Sequence, residues 1–261
     1  MTSRTIRTTG AELVVDDAGC QDPALVFLHY WGGSARTWAP VLRLLPATVR
    51  RLAINQRGWG GSRVTDGRYD LAALADDVTA VVGALGIGRY VLVGHSMGGK
   101  VAQLVAGRQP PGLAGLVLVA PAPPVPMSVP EEIRDGMLAS YQSREGILEA
   151  LRGLAGPALD GAQRERVIED TLSGEPGAKR YWPEHGMTAD ISLMGQGLKL
   201  PVEIVLGEHD LVERPSVLRP LLSRLIPHAT FTTVPGAGHL LPLEAPQAVA
   251  ARCEHILGVA H

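Results

Sequence analysis

The chain has 261 residues, 46% apolar and 19% charged, with a formal net charge of -2. That composition supports one large buried core and argues against an intrinsically disordered chain. The charge balance lacks the basic surplus of a nucleic-acid-binding protein, and two distant cysteines, Cys20 and Cys253, form neither a disulfide framework nor a zinc motif.

In chain order, the opening stretch "MTSRTIRTTGAELVVDD" carries no apolar leader-like run, and no segment is long and apolar enough to cross a bilayer. A cytoplasmic protein without membrane contact is expected. Two polar strands, 5–9 and 12–16, read as a hairpin at a sheet edge. Six further strands are expected at 24–29, 50–55, 90–95, 115–120, 202–207 and 229–234. Several are continuously apolar ("ALVFLH", "YVLVGH", "GLVLVA", "VEIVLG"), as in strands buried on both faces of a parallel sheet. Amphipathic helices separate them. Leu71, Leu74, Val78, Val81, Val82 and Leu85 share one helical face, with Asp70 as N-cap and Gly86 as the stop. The expected fold class is α/β, an eight-stranded, mostly parallel sheet with helices on both faces.

Residues 121–197 interrupt this alternation with a proline-rich exit and then helical segments. Their apolar stripes need a surface, and the carboxyl edge of the sheet is the nearest one. The expected division is a core of residues 1–120 and 198–261 and a helical cap of residues 121–197.

The stretch "GHSMGG", residues 94–99, places Ser96 between Gly94 and Gly98 directly after a strand and before a helix. Such a turn lifts the serine hydroxyl above the sheet, and bulky neighbours two residues away would collide. A nucleophilic serine needs a base, and the base an orienting acid. His239, after the last strand, and Asp210, after the penultimate one, complete a Ser–acid–His order. Each follows the carboxyl end of an expected parallel strand, so the three can converge on one edge. Glu208 and Glu213 rival Asp210, and His29 and His95 read as structural. The His209–Asp210 pair lacks an evident third ligand, so no metal is expected.

These stretches resemble the α/β-hydrolase superfamily, in its branch of cofactor-free esterases, perhydrolases and C–C bond hydrolases. "LHYWGGSARTW" (28–38) is similar to the oxyanion loop and "NQRGWGGS" (55–62) to the loop after the next strand. "GHSMGG" resembles the nucleophile elbow; "LGEHD" (206–210) and "GAGHLLPLEAP" (236–246) resemble the acid and histidine loops. The resemblance implies Ser96 as nucleophile, His239 as base, Asp210 as orienting acid and no cofactor. It also implies an oxyanion hole from the backbone N–H groups of Met97 and Trp31. Tyr30 stands where the family usually has glycine, so either Tyr30 or Trp31 supplies the second N–H. Asn55 replaces the family's usual aspartate. Relatives acting on haloalkanes or epoxides carry an aspartate nucleophile, which Ser96 excludes.

The expected activity is hydrolysis of a small carboxylic ester through an acyl-enzyme. C–C bond hydrolysis and cofactor-free perhydrolase or haloperoxidase chemistry use the same triad, and a ligand receptor on this fold is a third reading. Tyr30, Trp31 and Trp182 are the expected pocket residues in an aromatic-poor chain, and a small molecule is the expected partner. The sequence leaves the substrate and the oligomeric state open.

Overall fold

The computed structural model describes residues 1–155, 159–195 and 198–259. The expected insertion boundary at 197 lies outside the described residues. One sheet runs through the molecule in the order β1-β2-β4-β3-β6-β7-β8-β9. Its strands are β1 (Thr2–Thr8), β2 (Ala11–Ala18), β3 (Gln21–Leu28), β4 (Val49–Ile54), β6 (Tyr90–His95), β7 (Leu113–Val119), β8 (Val202–Gly207) and β9 (Thr230–Val234). A ninth strand, β5 (Arg63–Val64), pairs with β2. Two residues are too few to leave a periodic signature, so the sequence reading of eight strands missed it. β1 and β2 form the edge hairpin, turning at Gly10 with φ +82°, and every pair from β4 to β9 is parallel.

The apolar runs build two cores because alternate residues point to opposite faces. Ala24, Val26 and Leu28 of β3 and Leu92 of β6 join one core, against α2 (Leu71–Ala84) and α3 (Met97–Gly107). Leu25, Phe27, Val91 and Val93 join the other, with α1 (Ala39–Leu44) and α10 (Pro246–Val259). Asp70 caps α2 by accepting from the Ala73 N–H at 2.9 Å, which satisfies one of the helix's orphan donors.

Between β7 and β8 the chain leaves the sheet for helices α4 (Glu131–Ser140), α5 (Arg144–Leu154), α6 (Gly161–Ser173) and α7 (Pro176–Tyr181). No strand occurs among the described residues of this insertion. α5 and α6 begin at Ser143 and Asp160, whose side chains accept the N–H groups of Gly146 and Gln163. A short π-helical turn, Trp182–Gly186, follows α7. Sequence reading passed over α7 and this turn, because Pro176 and Pro183 look like breakers while both actually sit in first turns, where proline is tolerated.

Polar bonds tie the insertion to the loop after β3. The Trp31 indole N–H donates to the Lys179 carbonyl at 3.1 Å, and Trp31 stacks on Tyr141 with ring centroids 3.7 Å apart. The Tyr141 hydroxyl donates to the Trp31 carbonyl, and Thr171 Oγ1 to the Gly32 carbonyl. Ser34 donates to the buried carboxylate of Asp170, which also receives Arg36.

Candidate active site

Ser96 joins β6 to α3 with φ 52° and ψ -116°, a conformation that costs a non-glycine residue about 1–3 kcal/mol. The surroundings enforce it. A Cβ on Gly94 would strike the Gly98 carbonyl, and one on Gly98 would strike the carbonyl oxygens of Leu28 and His29. The elbow is therefore pressed directly against the end of β3. Ser96 is buried but lines a pocket of about 420 Å³.

His239 lies in the loop after β9 and Asp210 in the loop after β8. Their side chains meet, with His239 Nδ1 2.8 Å from Asp210 Oδ2, both buried. Asp210 Oδ1 accepts the N–H groups of Val212 and Glu213, each at 2.8 Å. Burial disfavours the Asp210 charge, but His239 and those two N–H donors outweigh it and hold the carboxyl below the ordinary aspartate range. With Nδ1 engaged by the carboxylate, Nε2 is the ring nitrogen left for proton transfer. His239 lines the same pocket as Ser96, though no direct hydrogen bond joins their side chains among the described residues. Such bonds are often long in unliganded sites and tighten with substrate. The His239 N–H donates to the Leu154 carbonyl at 2.8 Å, so the histidine loop is anchored to the insertion.

Two other histidines hold the scaffold. The Gln56 N–H donates to His29 Nε2 at 3.0 Å, which makes Nε2 an acceptor and places the proton on Nδ1, 2.7 Å from the Tyr30 carbonyl. Burial lowers the His29 pKa to about 4, against a small opposing effect of the Tyr30 carbonyl. His95 is also fully buried; its Nε2 is 2.8 Å from the His239 carbonyl, and desolvation pushes its pKa well below the usual value. Asn55 accepts the Ala35 N–H at 2.8 Å and donates to the Val14 carbonyl at 3.0 Å. A neutral amide thus bridges the turn after β3 to strand β2 by offering both an acceptor and a donor, where an ionised carboxylate would offer only acceptors.

Tyr30 and Trp31 follow β3 and line the pocket with Ser96. Met97 opens α3, so its N–H belongs to the first-turn amides that lack an intrahelical acceptor. Trp182 lines the pocket, as do Tyr141, Met127, Met137 and Met187 from the insertion. Trp38 and Trp59 lie in the cores instead. Glu208 accepts the Gly236 N–H, leaving Asp210 as the carboxylate on His239. Among the described residues no three metal-ligating side chains gather, and no helix is long and apolar enough to cross a membrane. One buried ionisable residue near the site, Lys100, escaped sequence reading, and Glu213, weighed there only as a rival of Asp210, is buried as well. No local signal marks Lys100, which lies in α3 and reads from the sequence as a solvent-facing charge.

Known proteins resemble this chain in sequence and in fold. A bifunctional esterase/perhydrolase of Acinetobacter calcoaceticus is 30% identical over 258 residues, covering 89% of this chain and 91% of that one. A thermophilic esterase from Thermogutta terrifontis, solved with malate bound, superposes with a TM-score of 0.86 at 26% identity over the full length of both chains. The acetyltransferase component of the acetoin cleaving system of Pseudomonas putida is 28% identical over 232 residues, which are 86% of this chain; the chain spans only 60% of that protein's length. The model of the alpha/beta hydrolase family matches residues 25–252. From β3 to α10, then, sheet order and sequence agree, and the chain belongs to the alpha/beta hydrolase family.

Proposed function

We propose that this protein is a serine hydrolase that cleaves small carboxylic esters through an acyl-enzyme. The observation that carries the reading is the buried His239–Asp210 hydrogen bond at 2.8 Å, facing one pocket together with a serine held at positive φ. Ser96 Oγ attacks the ester carbonyl while His239 Nε2 takes its proton. Asp210 fixes the Nδ1–H tautomer and stabilises the imidazolium. The N–H groups of Met97 and Trp31 face the developing oxyanion, each worth about 3 kcal/mol of transition-state stabilisation. The imidazolium returns its proton to the leaving alcohol. His239 then activates a water that attacks the acyl carbon and releases the acid. Residues 121–197 act as a cap that supplies most of the apolar wall.

The test is hydrolysis of p-nitrophenyl esters from acetate to octanoate by the wild type and Ser96→Ala. Turnover that the substitution abolishes supports the reading, and the chain-length optimum sizes the pocket. Absence of turnover above the variant on every ester removes it. The esterase/perhydrolase relative favours a second reaction of the same acyl-enzyme, in which hydrogen peroxide replaces water and a peracid leaves. Peracid formation with acetate and peroxide tests it.

A further inference from the structure

Glu213 lies three residues past Asp210 and is 5% exposed. It lines the pocket that holds Ser96 and His239, on the wall shared with an adjoining groove of about 310 Å³. Its own N–H is fixed on Asp210 Oδ1. Its carboxyl, by contrast, accepts no hydrogen bond and forms no salt bridge among the described residues. Nor are its oxygens among the polar atoms sealed from solvent without a partner, and the residue lines both cavities. Among the described residues the cation acting on it is Lys100, itself fully buried, whose ammonium donates to the Met187 carbonyl at 3.5 Å. Burial raises the Glu213 pKa well above the ordinary range, and the nearby Asp210 charge adds to the effect.

The neighbouring wall residues Leu211 and Val212 are apolar, so the cavity does not by itself call for a carboxyl at this position. The triad does not need Glu213, because Asp210 already occupies His239 Nδ1. In pockets that are mostly apolar, a few polar groups fix the ligand's orientation. A hydroxyl fits this carboxyl best. It donates and accepts, so it pairs with the carboxyl whether protonated or ionised. A substrate carboxylate would be repelled by the charge of Asp210 behind this wall, and a substrate ammonium by that of Lys100.

We propose that Glu213 is a specificity residue whose carboxyl binds a substrate hydroxyl, so that the preferred substrates are hydroxy-substituted carboxylic esters. This rests on the ester-hydrolase reading above. The test compares ethyl hexanoate with ethyl 3-hydroxyhexanoate and 2-hydroxyethyl hexanoate, using the wild type, Glu213→Leu and Glu213→Gln. In the wild type one hydroxy ester should exceed the plain ester about tenfold in kcat/KM, the scale of one well-formed hydrogen bond to a carboxyl. Glu213→Leu should bring that ratio to about one or below, and Glu213→Gln should keep part of it. A structural role would lower all three substrates together and leave the ratio intact, which overturns the proposal. Should Glu213→Leu not fold, the wild-type ratio and Glu213→Gln decide. Binding gives a readout without turnover: the same esters titrated against Ser96→Ala, followed by the fluorescence of Trp31 and Trp182. A hydroxyl preference in binding without turnover refutes ester hydrolysis and keeps the role of Glu213. Turnover without a hydroxyl preference does the opposite, and neither preference nor turnover removes both.

Discussion

His29 gives the structure a pH-dependent weakness whose size can be worked out. It is fully buried, neutral, and clamped between the Gln56 N–H and the Tyr30 carbonyl. Its pKa falls from 6.5 to about 4 on folding, chiefly through desolvation. The unfolded chain therefore binds a proton that the folded chain refuses, and stability is lost as pH falls from 6.5 towards 4. At pH 4.5 the linkage amounts to about 2.5 kcal/mol relative to pH 7, at 1.36 kcal/mol per pKa unit. Glutamine can present an acceptor near the position of Nε2 and does not titrate. Urea unfolding of the wild type and His29→Gln at pH 7 and 4.5 isolates the effect, because His95 and the carboxylates contribute to both proteins. The wild type should lose about 2.5 kcal/mol more than the variant over this range. Equal losses in the two proteins would mean that folded His29 takes up a proton as readily as the unfolded chain, and that burial does not depress its pKa.

Two further outcomes are expected. Asp210→Asn should fold, since the amide oxygen can still accept from Val212 and Glu213, but it should present the wrong tautomer of His239 and lower kcat by about 10⁴; activity within tenfold of wild type on a p-nitrophenyl ester would deny Asp210 its orienting role. Gly98→Ala drives a Cβ into the backbone oxygens of Leu28 and His29, which cannot yield as a side chain would. Its Tm should drop by several degrees and ester turnover should vanish, and an unchanged melting curve would show that the elbow has more room than these contacts allow.

The sheet was legible in the sequence because its central strands are buried on both faces. Every residue of β6 and β8 is buried, so their apolar runs are nearly continuous and hard to mistake. Ser96 and Asp210 could be singled out because each follows such a run, and His239 because it sits in a glycine-bearing loop after the last strand, β9, whose residues are only partly buried. Elements shaped by local exceptions stayed hidden: β5 is too short for a pattern, and α7 begins with a proline that reads as a stop. The burial of Lys100 and Glu213 was hidden for a different reason. Charge in a sequence normally signals a solvated face, and only tertiary packing reveals that these two are enclosed.

Trp31 carries a mechanical consequence. Its main chain is the proposed oxyanion donor, while its indole hangs from Lys179 and lies flat on Tyr141, whose hydroxyl returns to its carbonyl. Leu154 grips the histidine loop in the same way. Any displacement of Tyr141, Lys179 or Leu154 must therefore be felt at once by the oxyanion loop and the histidine loop, so that the insertion and both arms of the proposed machinery behave as one mechanical unit.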